Sequence, residues 1–111
     1  MDQLYYRDDH LLVRLRQQLV MLDGEMVRLT PMQYRLLALL VEHAGVVVTR
    51  AVFLMHGGYS PEIRERRVDA CIHGLRRKLG VYADQYLETV FGVGYLFRPQ
   101  FVERILSKEE E

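Results

Sequence analysis

Apolar residues in the N-terminal third of the chain follow a pattern typical of short strands. Residues 11–30 read LLVRLRQQLVMLDGEMVRLT, with valines and leucines on both sides of Asp23 and Gly24. An Asp-Gly pair between apolar runs is a strong hairpin signal, because both turn positions require a positive φ. With a further edge strand at Tyr5 and Tyr6, the pattern predicts an antiparallel sheet of three or four strands.

A helical pattern follows this sheet, with signals at both ends. Thr30 is a favoured N-cap, Pro31 suits the first helical position, and Gln33 completes a capping box. Apolar residues then recur at helical spacing until Gly45, a residue type that commonly ends helices. We therefore predict a first helix over about residues 31–44, followed by an extended VVVT segment.

Two more helices are predicted in the centre of the chain. Thr49 can cap a short helix over about residues 50–56, and the glycine pair that follows would end it. Ser60 and Pro61 are expected to cap and begin a third helix over about residues 61–79.

The third helix has two distinct faces. One apolar stripe repeats at i, i+4, i+7 and i+11 and contains Val68, Ile72, Leu75 and Leu79. A second face with the same spacing contains Arg66, Ala70, His73 and Arg77. The first face is expected to pack on the core, and the second is expected to meet solvent or a partner.

Two short strands, LETV and YLFR, come after the helices and are joined by FGVG over about residues 87–98. The two glycines indicate a tight or bulged hairpin. The order of elements predicts an α+β fold, a winged helix-turn-helix with an N-terminal antiparallel sheet, a three-helix core and a C-terminal β-hairpin wing. In such folds a helix enters the major groove of DNA and the hairpin reaches the backbone beside it.

Composition is compatible with one compact domain, because the chain has 111 residues, half of them hydrophobic, and no net charge. No apolar run approaches the roughly 20 residues that cross a bilayer, and the N-terminus lacks the features of a signal peptide. The single cysteine fits a reducing compartment. We expect a cytoplasmic protein without a membrane partner, with residues 1–100 as the domain and residues 101–111 as a C-terminal tail.

Charge is uneven along the chain in spite of the neutral total. Residues 62–78 contain six positive and three negative side chains, so the rest of the chain is correspondingly acidic. The distribution of charge decides nucleic-acid binding more than the sum does. The basic third helix therefore keeps double-stranded DNA among the expected partners.

Three motifs in the same order resemble those of one family. They are LTPMQYRLLALLVEHAG, RRVDACIHGLRRKLG and LETVFGVGYLFRP. Together they make the chain similar to the DNA-binding effector domain of OmpR/PhoB-type response regulators over roughly residues 10–99. The resemblance implies transcriptional control under a phosphorylated receiver domain and a dimer on direct-repeat DNA. We expect the chain to be either an effector domain excised from a longer protein that contains the receiver or a stand-alone protein of that type.

The resemblance also implies which residues contact DNA. Arg66, Arg76, Thr89 and Tyr95 match positions that contact DNA in the family, mostly at phosphates. Base reading is expected from the exposed part of the third helix, at Arg67, Ala70, His73 and Arg77. Asp69 is expected to pair with a neighbouring arginine or to brace the core.

Several positions depart from the family pattern. Gly74 stands where the family often has a base-reading arginine, and Phe91 stands where many members have an arginine that reaches DNA. We expect Gly74 near the outward face, as a position where base reading is relaxed, and both residues belong to the predicted DNA-binding set. Gly57 stands where a tryptophan is usual.

The loop HGGYSPEIR resembles the family segment that touches RNA polymerase. The resemblance therefore implies RNA polymerase as a partner, with contacts from Gly58, Tyr59, Ser60 and Glu62.

Catalytic and metal-binding patterns are not found in the sequence. Cys71 and His73 lie two residues apart and do not share a helix face, and we find no nucleophile–base pairing or phosphate-binding loop. We expect no enzyme activity, no metal and no cofactor.

An alternative function and an alternative structure of the tail remain open. The alternative function is a degenerate effector domain that serves as a protein-interaction module, which Gly74, Phe91 and the zero net charge favour. The tail is expected to be frayed, and the alternative is an amphipathic helix that binds a partner.

Overall fold

A computed structural model describes residues 4–100 and 104–108 of the chain. Its N-terminal part is an antiparallel meander of four strands, which confirms the predicted sheet. The strands are β1 (Leu4–Arg7), β2 (Leu11–Arg14), β3 (Leu19–Leu22) and β4 (Glu25–Met26). Asp23 and Gly24 form the turn between β3 and β4 with φ of 51° and 81°, the left-handed values expected for an Asp-Gly turn.

Helices and a second sheet make up the rest of the domain. In chain order the elements are α1 (Pro31–Glu42), β5 (Val48–Thr49), α2 (Arg50–His56), α3 (Glu65–Leu79), a 3-10 turn (Gly80–Tyr82), α4 (Ala83–Tyr86), β6 (Leu87–Val90), β7 (Gly94–Phe97) and β8 (Arg104–Lys108).

The predicted caps of α1 and α2 are confirmed. The Thr30 hydroxyl accepts a hydrogen bond from the Gln33 N–H at 3.1 Å, and the Gln33 side-chain oxygen accepts one from the Thr30 N–H at 3.0 Å. This pair is the complete capping box. The Thr49 hydroxyl likewise accepts from the Val52 N–H at 3.1 Å and starts α2.

The predicted start of the third helix is wrong. The hydroxyl of Ser60 accepts from the Glu62 N–H at 3.2 Å, and the Ser60 carbonyl accepts from the Ile63 N–H at 2.9 Å. These bonds close a separate turn, and Arg64 then takes the extended N-cap conformation before α3 begins at Glu65. Ser and Pro favour such a turn as readily as they favour a helix start.

The second sheet has three strands in the order β5-β7-β6, so the extended segment after α1 becomes part of the wing. Val48 pairs with Tyr95 and Thr49 pairs with Gly94. A side chain on the buried Gly94 would overlap the Val48 carbonyl and would lie 2.9 Å from the Thr49 Cα. The two backbones therefore approach as closely as they do because residue 94 is a glycine.

The expectations for the tail are also wrong for the residues described there. Residues 104–108 form β8, which pairs antiparallel with β1 and gives the sheet order β4-β3-β2-β1-β8. The strand satisfies backbone groups of β1 that an open edge would leave unpaired. Consequently Tyr5 and Tyr6 lie on an interior strand and not on an edge. Residues 101–103 and 109–111, where the tail was also predicted, lie outside the described residues.

The hydrophobic core lies between the N-terminal sheet and the helices. The predicted stripe of α3 is buried, and it packs with a row of leucines on α1: Leu36, Leu37 and Leu40. Aromatic residues close the far side, where the Phe97 ring stacks on Tyr86 at 5.6 Å and meets the edge of Tyr6 at 4.9 Å. Asp8 accepts hydrogen bonds from the hydroxyls of both tyrosines, at 2.5 Å from Tyr6 and 2.7 Å from Tyr86.

Candidate nucleic-acid interface

The outward face of α3 carries a compact set of polar and basic side chains. All five residues expected to lie there are exposed, namely Arg66, Arg67, Ala70, His73 and Arg77. They are exposed because the opposite side of the helix is occupied by the core stripe. The helix therefore offers four donor-bearing side chains around one small residue, a surface suited to phosphates and base edges.

Arg76 connects this helix to the wing. Its Nη2 donates to the Thr89 hydroxyl at 2.9 Å, and its Nη1 lies 3.3 Å from an Asp84 carboxylate oxygen. About a quarter of the Arg76 side chain stays exposed, while Asp84 is almost fully exposed. The structure thus brings two predicted phosphate-binding residues, Arg76 and Thr89, into direct contact. It also adds Asp84, which no sequence motif predicts at this site.

Asp69 holds the start of α2, α3 and the wing together. Its carboxylate accepts from Arg50 Nε at 2.7 Å and from the Tyr95 hydroxyl. Although partial burial opposes ionisation, the hydrogen bonds from Tyr95 and Arg50 and the arginine charge hold the pKa of Asp69 below its ordinary value. The expectation that Asp69 pairs with an arginine is confirmed, but its partner is Arg50, 19 positions earlier in the chain.

Tyr95 lies inside the domain. It is 6% exposed, and its hydroxyl is bound to Asp69. Burial and the neighbouring carboxylate raise its pKa, so the hydroxyl stays protonated as a donor to Asp69. The arrangement gives Tyr95 a bracing role between β7 and α3.

Gly74 is buried, so the expectation that it lies near the outward face is wrong. A methyl group at this position would lie 2.5 Å from Nε2 of Gln33, closer than such atoms approach. Gly74 thus faces the N-terminus of α1 and seats the side chain that completes the capping box. The Cβ direction points toward α1 and away from the exposed face, which removes Gly74 from the candidate DNA contacts.

The wing ends in an exposed apolar turn, residues 91–93, which we name the wing tip. Phe91 is 90% exposed and Val93 is 47% exposed. The turn is closed by a hydrogen bond of 2.9 Å from the Val93 N–H to the Val90 carbonyl, and Gly92 has a φ of 77°. Phe91 is therefore a surface residue and not part of the core.

The loop between α2 and α3 is partly covered by one of its own side chains, Tyr59. The Tyr59 ring folds back over Gly57 and occupies the space that a side chain at that position would need. It also lies 5.5 Å from the Phe53 ring, and its hydroxyl accepts from Arg35 at 3.2 Å. Of the residues matched to the polymerase-contacting segment, Gly58, Ser60 and Glu62 are exposed, and Tyr59 is half-buried.

Cys71 lies on the buried side of α3, and burial raises the pKa of its thiol to about 11. The thiol is therefore protonated at neutral pH and a poor nucleophile. Among the described residues, His, Cys, Asp and Glu side chains form no group of three that could hold a metal ion. Within the same part of the chain, no helix has the length and apolarity required to cross a membrane.

The family described as "Transcriptional regulatory protein, C terminal" matches residues 24–97. The chain belongs to this family. Response regulator ArlR of Staphylococcus aureus is 42% identical to it over 81 residues, which are 71% of this chain and 37% of ArlR. Response regulator protein PmrA of Pseudomonas aeruginosa is 39% identical over 77 residues, covering 68% and 34%. The chain thus spans about a third of the length of these relatives.

Solved structures with the same fold support this family membership. The DNA-binding domain of Klebsiella pneumoniae RstA, in complex with the RstA box, has a TM-score of 0.73 and 32% identity over 86% of this chain and 98% of that one. DrrB, an OmpR/PhoB homologue of Thermotoga maritima, has a TM-score of 0.76 and 29% identity over 85% and 44%. The predicted winged-helix fold and the predicted family are confirmed: the chain has the fold of the DNA-binding domains of OmpR/PhoB-type regulators. The comparisons give no support to the protein-interaction alternative.

Proposed function

We propose that this domain recognises specific double-stranded DNA with the exposed face of α3 in the major groove and the wing on the adjacent backbone. The observation that carries the proposal is the Arg76–Thr89 hydrogen bond of 2.9 Å. It fixes the basic helix and the hairpin in one relative position. A single rigid surface can then meet a groove and the phosphates beside it.

The residues divide into two roles. Arg66, Arg76 and Thr89 are placed to bind phosphates, which positions the protein on the duplex without reading its sequence. The central exposed residues, Arg67, Ala70, His73 and Arg77, are placed to meet base edges. Tyr95 acts indirectly by bracing Asp69, because its hydroxyl is already bound within the protein.

Asp84 moderates the phosphate contact in this proposal. It shares the Arg76 guanidinium with Thr89, so a DNA phosphate at Arg76 must compete with a carboxylate 3.3 Å away. Because Asp84 is fully exposed, its ion pair with Arg76 is weak, and a DNA phosphate can readily replace the carboxylate.

Further partners follow from the likeness to response regulators. We propose that the domain acts in the cytoplasm and is controlled by a receiver domain of a longer protein. We also propose that it binds direct-repeat half-sites as a dimer. RNA polymerase is the proposed partner of the exposed part of the α2–α3 loop, at Gly58, Ser60 and Glu62.

Substitution of Arg76 tests the DNA-binding geometry. Arg76→Ala is expected to weaken binding to the best selected site and to random DNA by similar factors, and to lower the slope of log affinity against log salt by about one. Arg16→Ala, which removes the same charge from the turn between β2 and β3, serves as the control and should leave the slope unchanged. Arg76→Lys should recover most of the salt slope.

Three outcomes decide against the proposal. If Arg76→Ala changes the preferred sequence and leaves the salt slope alone, Arg76 reads bases. If Arg16→Ala has the same effect as Arg76→Ala, the attraction is a general charge effect and α3 is not the interface. If the wild-type domain binds neither selected nor random duplexes, the domain does not act through DNA.

A further inference from the structure

We propose that the wing tip reads the deformability of DNA: Phe91, flanked by Val93, enters the minor groove beside the α3 site as an apolar wedge. The proposal deepens the DNA-binding function and rests on it. It assigns a specificity role to residues that carry no charge and no hydrogen-bonding side chain.

Exposure of the wing tip is the first observation. Phe91 is 90% exposed and Val93 is 47% exposed, and the two lie on one tight turn, separated by Gly92. Burying an aromatic side chain stabilises a complex substantially, so this ring beside the proposed DNA surface is available for apolar contact with a partner. Phe91 has no ring partner within the described residues.

Absence of charge is the second observation. Residues 90–94 read VFGVG, and the side chains of this segment contain no ionisable or hydrogen-bonding group. The wing tip therefore cannot bind phosphates through its side chains. Its side chains can contribute only apolar contact, which depends little on salt because it releases no counterions.

Rigidity and position provide the third observation. The Val93–Val90 hydrogen bond closes the turn, and four pairs from Leu87↔Phe97 to Val90↔Gly94 hold the hairpin. Thr89, two residues before Phe91, is bonded to Arg76 of α3. The apolar tip is thus continuous with the DNA-facing surface, and it is held in a defined position next to it.

Deformable DNA is the occupant that fits these observations. Apolar side chains that enter a minor groove unstack and bend the duplex. Pyrimidine–purine steps such as TA and CA deform easily, whereas A-tracts are stiff and attract cations into a narrow groove. An uncharged aromatic tip gains nothing from the negative potential of an A-tract, so it should favour the flexible steps.

Two families of duplexes test the inference directly. Both contain the same core, selected from a random pool, and they differ only in the flanking steps, which are either TA and CA steps or A-tracts. The wild-type domain should bind the flexible duplex several-fold more tightly and bend it more. Phe91→Ala should abolish that preference and bind the flexible duplex several-fold more weakly at an unchanged salt slope. Phe91→Leu should retain most of the preference.

Met26→Ala is the matched control, because Met26 is also an exposed apolar residue, at 64%, on β4 of the N-terminal sheet. It should leave affinity and preference unchanged. The inference is overturned if Phe91→Ala binds both duplexes like the wild type, or if its salt slope changes. It is also overturned if the loss appears only on DNA with two half-sites and not with one, since Phe91 would then contact a second copy. Failure of the wild-type domain to bind any duplex would instead refute the DNA-binding function itself.

Discussion

Two tight hairpins of this domain differ in what their turns do. The β3–β4 turn has a polar tip that is held against the body of the protein: the Asp23 carboxylate accepts from the Tyr82 hydroxyl at 2.6 Å and pairs with His10 Nδ1 at 2.7 Å. The His10 and Tyr82 rings also lie 4.7 Å apart. The wing tip is apolar and exposed, and Phe91 has no ring contact within the described residues.

Backbone conformation does not explain the difference, because each turn contains a glycine at positive φ, 81° at Gly24 and 77° at Gly92. The side chains do. A polar turn that satisfies its charges within the protein contributes to the fold, whereas an apolar turn left in water is available to a partner. The chain therefore contains one structural hairpin and one hairpin that we propose as an interface.

The base of the wing should show the largest effect. Gly94→Ala forces a methyl group against the Val48 carbonyl and the Thr49 Cα, so it should reduce the free energy of unfolding by about 1–3 kcal/mol and impair DNA binding. Gly92→Ala at the tip meets open space and should cost only the strain of positive φ, about 1 kcal/mol. Urea unfolding of the two variants measures the difference. Equal losses would show that β5 and β7 separate readily at Gly94.

Charge at the wing tip should produce an intermediate effect. Phe91→Arg is expected to steepen the salt slope by about one, because it adds a cationic phosphate or groove contact, and to shift the preference from flexible steps toward A-tracts, because the apolar ring is lost. The melting temperature should stay the same, since Phe91 is a surface residue. Binding at several salt concentrations and a thermal melt test both parts. Loss of the cooperative transition would contradict the position of Phe91 outside the core.

The polar turn should contribute a small, pH-dependent part of stability. The hydrogen bond to Asp23 raises the pKa of His10, and the bonds from Tyr82 and His10 lower the pKa of Asp23. The stabilisation is complete between the ordinary pKa values of about 4 for the carboxyl and about 6.5 for the imidazole. It is lost as pH rises through the raised pKa of His10, or falls through the lowered pKa of Asp23.

Thermal melts of the wild type and His10→Gln at pH near 5.5 and near 8.5 measure this contribution. The wild type should have its larger advantage at the lower pH. DNA affinity should be the same for both proteins at each pH, because this turn lies outside the proposed interface. A constant difference in melting temperature would show that the imidazole acts through packing and not through its charge.

Local features of the fold were readable from the sequence. The Asp23–Gly24 turn and the Thr30–Gln33 capping box each depend on residues within four positions of one another, so residue type alone predicts them. The pairing of β8 with β1 joins segments about a hundred residues apart. No local preference specifies such a partner, and the tail was accordingly predicted as a frayed end or a helix.

In the candidate site, too, local features were predictable from the sequence and long-range contacts were not. Spacing alone predicted which face of α3 is exposed. It failed at Gly74 because α3 packs against two neighbours: the stripe through Val68 and Leu75 meets the core, while Gly74 meets the N-terminus of α1. The Asp84 contact with Arg76 and the Arg50 contact with Asp69 each depend on where a distant segment packs, and no motif encodes that.

The packing of the Gln33 side chain against Gly74 constrains the order in which these two positions can change during evolution. The Gln33 side-chain oxygen accepts from the Thr30 N–H at 3.0 Å while its amide nitrogen lies over Gly74. Any larger residue at 74 must shift that amide, the flexible end of the Gln33 side chain, and with it the hydrogen bond to Thr30. A lineage that acquired an arginine there would therefore pass more easily through a shorter residue at 33. Substitutions at positions 33 and 74 should therefore covary among descendants of this chain. This covariation does not require either residue to contact DNA.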